Sequence, residues 1–165
     1  MKEAYLYEKQ ADRKVRCHLC NHRCLIKDGL RGICGVRENL GGTLFSLVYG
    51  QVIARHVDPI EKKPLFHFLP GTSSYSIATA GCNFKCLFCQ NADISQMPKD
   101  RNQILGEEMT PEIVLEEALR SRSSTISYTY TEPTIFFEFA LDIARPAASR
   151  GLRNIFVSNG YMTEA

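Results

Sequence analysis

The amino-acid sequence predicts an α/β protein in which an irregular, cysteine-rich first part is followed by alternating strands and helices. Three observations predict this class. Residues 1–41 are polar and contain one tight cysteine cluster, a second cluster follows a strand-like run near residue 80, and strand and helix patterns alternate from Ser74 onwards. With 165 residues, 44% of them hydrophobic, the chain can bury a core.

We predict a domain boundary at the turn formed by Pro70 and Gly71. Residues 1–71 are expected to form a cysteine-rich, metal-binding module with a β-hairpin, and residues 72–165 a separate α/β domain. The hairpin is predicted from two strand-like runs, residues 43–49 and 51–57, which Gly50 separates.

The second part follows a strand–helix–strand–helix–strand order. The predicted strands are residues 75–80, 125–130 and 154–158. The first helix should begin at Thr110, because Thr110 is a favoured N-cap and Pro111 suits the first helical position. A second helix should begin near Thr134 and end or kink at Pro146.

This order implies a parallel sheet with right-handed crossovers. Three strands cannot close a barrel, and the sequence stops at Ala165, where a further helix should begin. We therefore expect a partial (β/α) barrel, truncated after about three strands, in a truncated, split or incomplete chain.

The composition argues against several classes of protein. Apolar runs are too short for a membrane span, and the first residues do not resemble a signal peptide, so we expect a cytoplasmic protein with no membrane partner. The net charge is +2 and no run of lysine or arginine occurs, so nucleic acid is not an expected partner. Cysteines spaced two or three residues apart suit metal binding in a reducing compartment better than disulfides.

The second cysteine cluster follows the first predicted strand with the spacing C-x3-C-x2-C and contains Cys82, Cys86 and Cys89. A cubane 4Fe-4S cluster usually has four cysteine ligands, so three leave one iron open for chemistry. The loop after a strand lies at the reactive edge of a parallel sheet. Buried structural cysteines are the alternative.

The first cluster contains Cys17, Cys20, Cys24 and Cys34, with the spacing C-x2-C-x3-C-x9-C. Four thiolates fill a coordination sphere, which fits structural zinc and equally an auxiliary iron–sulfur cluster. Four free thiols are the remaining alternative.

Residues 81–89 (GCNFKCLFC), including the aromatic Phe88 before the last cysteine, resemble the signature of the radical S-adenosylmethionine (SAM) superfamily. Further segments resemble the pyruvate formate-lyase activating enzyme-like members, in particular the AmmeMemoRadiSam system radical SAM enzymes. They are residues 17–24 (CHLCNHRC), 32–39 (GICGVREN), 58–65 (DPIEKKPL) and 127–134 (SYTYTEPT). The resemblance runs from about Lys14 to Met162 and covers the front part of that family's barrel.

The resemblance implies a 4Fe-4S cluster on Cys82, Cys86 and Cys89, with SAM chelating the fourth iron. Reductive cleavage of SAM would yield a 5′-deoxyadenosyl radical that abstracts hydrogen from a substrate. The substrate, a protein such as a glycyl-radical enzyme or a small molecule, is not identified by the sequence. The electron would come from a flavodoxin or ferredoxin. No side chain is assigned a catalytic role.

By the same resemblance, Phe88, Glu132, Ser158 and Asn159 are expected to contact SAM. Glu132 stands where the superfamily has a Gly-Gly-Glu element, but Tyr130 and Thr131 replace the glycines. Its alternative role is to start a helix. The alternative for Ser158 and Asn159 is an ordinary Asn-Gly turn.

Two rival functions follow from the same residues. The first is an iron–sulfur electron-transfer protein without SAM chemistry. The second is a truncated fragment that binds metal and is catalytically inert.

Overall fold

The computed structural model describes residues 1–164, and this part of the chain folds into three sheets and three α-helices. The strands are β1 (Lys2–Glu3), β2 (Tyr7–Lys9), β3 (Val15–Cys17), β4 (Leu25–Ile26), β5 (Arg37–Leu40), β6 (Thr43–Ser46), β7 (Gln51–Pro59), β8 (Ser73–Thr79), β9 (Glu107–Glu108), β10 (Thr125–Tyr128) and β11 (Arg153–Phe156). The helices are α1 (Ala92–Asp100), α2 (Pro111–Arg120) and α3 (Phe137–Ser149), and short 3-10 helices span Ile60–Lys62 and Pro133–Phe136.

The largest sheet has the strand order β11-β10-β8-β7-β9. Strands β8, β10 and β11 are parallel, with Tyr128 opposite both Ile77 and Phe156. The predicted α/β class and the parallel order of its three strands are confirmed. Closure into a partial barrel stays a prediction.

The main hydrophobic core lies between this sheet and the helices α2 and α3. Ile77 and Ile126 from the sheet meet Phe136, Phe139 and Ile143 from the helical side, all almost completely buried. Each such side chain stabilises the fold by about 1.5–3 kcal/mol relative to exposure. The core therefore fixes α2 and α3 on the sheet.

The start of α2 agrees with the sequence. The hydroxyl of Thr110 accepts a hydrogen bond of 3.3 Å from the amide of Ile113, and Pro111 is the first helical residue. By contrast, α3 continues three residues beyond Pro146, so the predicted helix end there is wrong. The amide of Arg150 and the hydroxyl of Ser149 both bond to the carbonyl of Pro146, which holds the final turn.

The first part of the chain forms two small antiparallel sheets, β2-β3-β4 and β1-β6-β5. Its hairpin joins β5 to β6 through Gly41 and Gly42, both at positive φ. The side chain of Asn39 stabilises this turn by accepting a hydrogen bond of 2.9 Å from the amide of Gly42. The predicted hairpin around Gly50 is therefore wrong, because β7 finds its partner in β8.

Strand β7 pairs with β8 from Val52 opposite Thr79 to Pro59 opposite Ser73. A single sheet thus spans the predicted boundary at residue 71. The assignment of separate roles to the two sides stays a prediction. Among residues 1–164, the helices are all too short or too polar to cross a bilayer.

Candidate metal centre and cofactor site

The loop that carries Cys82, Cys86 and Cys89 follows β8 and precedes α1. Cys82 and Cys89 are partly buried, whereas Cys86 is exposed. The amide of Phe84 donates to Sγ of Cys82 at 3.4 Å, and Sγ of Cys89 lies 3.6 Å from Oγ of Ser95. The loop therefore occupies the carboxyl edge of the parallel sheet, where the sequence predicts it.

Helix α1 holds this loop in place. Nζ of Lys99 donates hydrogen bonds of 3.1 Å to the carbonyls of Cys82 and Phe84, and Nε2 of Gln96 donates one of 2.9 Å to the same Phe84 carbonyl. Burial lowers the pKa of Lys99. The sequence prediction includes neither this helix nor these residues.

Gly81 immediately precedes the first of these cysteines and adopts φ +104°. A Cβ at this position would lie 2.6 Å from Cγ1 of Val36 and 3.3 Å from the carbonyl oxygen of Cys34. Only glycine combines this backbone conformation with so close an approach. The loop is thus packed directly against the cysteine-rich module.

Burial raises the pKa of the Cys82 thiol, and the amide of Phe84 partly opposes this effect. Between Met1 and Glu164, no three His, Cys, Asp or Glu side chains are positioned to hold a metal ion as they stand. Three soft thiols on one eight-residue loop are nevertheless the donor type and number that an open iron–sulfur cluster requires. The donor set fits such a cluster, provided that the thiol side chains rotate towards one point.

The aromatic side chain of Phe88 is 89% exposed beside Cys86 and Cys89. Because it is exposed, this ring is not stabilised by burial in the hydrophobic core. It leaves an apolar surface next to the thiols, on which a planar ligand can stack.

Glu132 lies four residues beyond the end of β10, directly before the 3-10 helix, and is almost fully buried. Its Oε1 accepts hydrogen bonds from the amide and hydroxyl of Thr134, at 3.0 and 2.6 Å, and from Oγ of Ser158 at 2.8 Å. Its Oε2 accepts a bond of 2.8 Å from the amide of Asn159. Glu132 therefore caps the 3-10 helix, as one of its two predicted roles requires, and it also binds the end of β11.

The structure brings together three of the four residues predicted to contact SAM, namely Glu132, Ser158 and Asn159. Nδ2 of Asn159 donates a hydrogen bond of 2.8 Å to Oδ1 of Asn83, which connects this group to the cysteine loop. Ser158 and Asn159 also form the predicted turn, accepting bonds from the amides of Gly160 and Tyr161. Their contact with a cofactor stays a prediction.

Sequence reasoning does not single out Asn83, which is 2% exposed and connects the two strand ends. Its position directly after Cys82 is the available signal. Nδ2 of Asn83 has no hydrogen-bond partner among residues 1–164. A buried polar group without a partner is a candidate contact for a ligand.

A second polar network lies beneath Tyr130. Oδ2 of Asp58 accepts hydrogen bonds from Nζ of Lys63 at 2.7 Å and from the Tyr130 hydroxyl at 2.5 Å, and Oδ1 accepts one from Lys62 at 2.8 Å. Burial opposes ionisation of Asp58, but these hydrogen bonds outweigh it and hold its pKa well below the ordinary value. Burial lowers the pKa of Lys63.

The four cysteines of the first module line one cavity. Burial raises the pKa of Cys17 to about 11 and also raises that of Cys34. Nε2 of His22 lies 2.9 Å from the carbonyl oxygen of Asn83, and its ring packs edge-on against Phe84. The module and the Cys82 loop are therefore in direct contact.

The family model described as the radical SAM superfamily matches residues 76–165 of this chain. This region is more than half of the chain and includes the loop with Cys82, Cys86 and Cys89. The chain belongs to the radical SAM superfamily. The superfamily implies a 4Fe-4S cluster and SAM as cofactors.

Two relatives come from Methanocaldococcus jannaschii. The uncharacterized protein MJ0808 is 52% identical over 162 residues, which are 98% of this chain and 48% of that protein. The uncharacterized protein MJ0674 is 37% identical over 86 residues, which are 52% of this chain and 20% of that protein. This chain thus spans about half the length of the first relative. No solved structure matches it.

Proposed function

We propose that this protein is a radical SAM enzyme of the pyruvate formate-lyase activating enzyme-like group, within the AmmeMemoRadiSam system subgroup. The observation that carries the proposal is the three-cysteine loop at the carboxyl edge of β8, which a hydrogen bond between Asn83 and Asn159 connects to the group formed by Glu132, Ser158 and Asn159. Membership of the superfamily supports the chemistry. The four segments named above support the subgroup.

Cys82, Cys86 and Cys89 are the proposed cluster ligands. The bound cluster would supply the electron that cleaves SAM to methionine and a 5′-deoxyadenosyl radical. The chain's own contribution is to fix this loop. Lys99 and Gln96 hold its carbonyls from α1, and the exposure of Cys86 leaves one side of the loop open to a second ligand.

SAM is proposed to lie along the strand ends next to that loop. The side chains of Ser158 and Asn159 offer a hydroxyl and an amide to its ribose and carboxylate groups, and Phe88 offers a face for its adenine. Glu132 accepts hydrogen bonds from the Ser158 hydroxyl and the Asn159 amide and so fixes the position of both residues. A protonated amine of SAM near this carboxylate would be electrostatically favoured.

The substrate and the electron donor belong to the same proposal. A glycyl-radical protein is the proposed substrate class and a flavodoxin or ferredoxin the proposed donor, both by analogy with activating enzymes. Because the chain spans about half of MJ0808, the activity of a whole protein of that length also belongs to the proposal.

The test is anaerobic reconstitution with iron and sulfide, reduction with dithionite, and measurement of 5′-deoxyadenosine formed from SAM. We expect about four irons at the Cys82 loop and SAM-dependent 5′-deoxyadenosine, both lost in Cys86→Ser. Leu87→Ser is the matched control, since this neighbouring side chain is fully exposed and is not a ligand. A reducible cluster that never cleaves SAM would instead support electron transfer, and a chain that binds no SAM would support an inert fragment.

A further inference from the structure

We propose that Cys17, Cys20, Cys24 and Cys34 bind a single zinc ion, and that Arg37 donates hydrogen bonds to the ligating thiolates. This site is separate from the one at the Cys82 loop and does not depend on the proposed function. The four cysteines share one small cavity, and two nitrogens of Arg37 in its wall have no hydrogen-bond partner among residues 1–164.

All four cysteines line one cavity, together with apolar side chains such as Leu19, Ile26 and Ile135. Four thiolates complete the tetrahedral coordination that structural zinc sites adopt. No further protein ligand is needed, and no position is left open for a substrate. The donor set therefore describes a closed, structural metal site.

The space between the four cysteines bears on whether one ion or a cluster fits. Its volume is about 20 Å³. One water-sized particle requires about 10–15 Å³ by the same measure, so the space holds one ion. A cubane cluster contains four irons and four sulfides and would need the surrounding side chains to move apart. The cavity thus favours mononuclear zinc over an auxiliary iron–sulfur cluster.

Arg37 provides an independent observation. Its side chain lines the same cavity and is only 2% exposed. Nη2 pairs with Oε2 of Glu138, but Nε and Nη1 have no hydrogen-bond partner among residues 1–164. Buried guanidinium groups are rarely left with unpaired N–H groups, because water is no longer available to them.

Thiolates in the cavity would supply the hydrogen-bond acceptors that Nε and Nη1 of Arg37 lack. A zinc ion with four thiolates carries a net charge of −2, and hydrogen bonds to sulfur disperse that charge. Arg37 brings two unpaired donor nitrogens, Nε and Nη1, and a positive charge to the wall of the cavity. Glu138 holds the guanidinium from the other side, and its Oε1 accepts a bond of 3.0 Å from the amide of Tyr5.

The thiols do not converge on one point as they stand, since among residues 1–164 no three metal-binding side chains are so arranged. The thiols of the Cys82 loop do not converge either, although the superfamily implies a cluster for this chain. The lack of convergence therefore does not distinguish a metal-binding cysteine group from one that binds no metal. Rotation of the Cys24 thiol has room, because Gly32 has no side chain and its Cβ position lies 3.7 Å from that sulfur.

The first test measures zinc, iron and acid-labile sulfide in anaerobically purified protein and in two variants. We expect one zinc per chain in the wild type and in Cys86→Ser, and loss of that zinc in Cys24→Ser. Cys24 is chosen because it is partly exposed and its replacement disturbs the core less than that of Cys17. Cobalt(II) substituted into Cys86→Ser should show the visible bands of tetrahedral thiolate coordination.

Three outcomes overturn the zinc site. They are a wild-type protein without stoichiometric zinc, a variant with Cys82, Cys86 and Cys89 all changed to serine that retains a 4Fe-4S cluster, and cobalt bands that Cys24→Ser does not remove. The first two outcomes are measured in proteins that keep all four cysteines of the zinc site. They can therefore contradict the proposal even if Cys24→Ser does not fold.

The second test concerns Arg37. The double variant Arg37→Leu with Glu138→Leu removes both buried charges together, and Arg31→Leu with Glu38→Leu removes a more exposed ion pair of 2.8 Å in the same module. Chelator competition should show zinc binding about 10–100-fold weaker in the first variant, the range typical of lost outer-shell contacts, and unchanged in the second. Equal affinities in the two would overturn the role of Arg37.

Discussion

The side-chain amide of Asn159 donates a hydrogen bond of 2.8 Å to Oδ1 of Asn83. This bond joins the residues that follow β11 to the loop that follows β8, across the intervening strand β10. It therefore couples the proposed SAM contacts to the proposed cluster ligands through one pair of amides.

Replacing Asn159 with alanine should lower the free energy of unfolding by about 1–3 kcal/mol, because Oδ1 of the buried Asn83 is left without its partner. Urea denaturation measures this change. Asn21→Ala is the control, since the Asn21 amide bonds to the carbonyl of Met162 at an exposed position and should matter little. If Asn159 also contacts SAM, calorimetry will show weaker SAM binding in Asn159→Ala alone.

Lys99→Met should loosen the Cys82 loop by removing two hydrogen bonds of 3.1 Å to its carbonyls. We expect about 1–3 kcal/mol less stability and faster loss of iron from the reconstituted protein, followed by its absorbance under a chelator. Lys85→Met is the matched control, because Lys85 is exposed and its contact with Asp100 is 3.5 Å long. Equal rates of iron loss in the two variants would show that Lys99 does not support the loop.

Gly81→Ala should destabilise the protein more than Gly71→Ala. Both glycines have positive φ, so both variants carry a backbone cost of about 1–2 kcal/mol. A Cβ at Gly71 meets nothing within 4 Å, whereas one at Gly81 overlaps Val36. The overlap should add about 1–3 kcal/mol in urea denaturation. Similar losses for the two variants would contradict the packing described for Gly81.

The Asp58 network predicts an acid-sensitive stability. The folded-state pKa of Asp58 lies below the unfolded value of about 3.9, so the folded state binds this proton less tightly. Its contribution is therefore complete above about pH 5 and is lost as the pH falls towards the folded-state pKa. Urea denaturation at several pH values measures this slope.

At neutral pH, Asp58→Asn should cost about 3–5 kcal/mol, because it leaves the buried Lys63 ammonium unpaired. The variant should also lose less stability on acidification than the wild type does. Asp12→Asn, which alters an exposed ion pair with Lys14, should change neither quantity. If the free energy of unfolding of Asp58→Asn falls with pH as steeply as that of the wild type, protonation of Asp58 is not the cause of the acid sensitivity.

Local signals in the sequence predict the second half of the fold well. Thr110 and Pro111 mark the start of α2, and the β-branched run around Ile126 marks the second parallel strand. The strand ends at Tyr128 and not at Tyr130, because Tyr130 adopts φ +62°. Such a backbone turn depends on tertiary contacts, here the bond from the Tyr130 hydroxyl to Asp58.

Helix α1 is the clearest element that the sequence does not predict. Its sequence contains Pro98, its N-cap residue Asn91 makes no side-chain capping bond, and it buries the polar Ser95 and Gln96. These three features disfavour a helix in the isolated segment. The contacts of Gln96 and Lys99 with the cysteine loop explain why the helix forms in the folded protein. A hairpin around Gly50 is predicted wrongly for a related reason: the partner of β7 is β8, which follows only after the connection formed by residues 60–72.

The cysteines and the strand-end polar residues could be found from spacing and position alone. Arg37, Asn83 and Lys99 could not, because their importance lies in which atoms remain unpaired or which carbonyls they reach. Such relationships appear only when distant segments are brought together.

The pairing of β7 with β8 has a consequence for how the molecule can be divided. A polypeptide that starts at residue 72 would lack β7, and one side of β8 would become an open sheet edge in the centre of the protein. Open edges of this kind recruit other chains and cause aggregation. Exchange of the cysteine-rich segment between related proteins would therefore have to include β7, so the segment that could be exchanged extends past the four cysteines to Pro59.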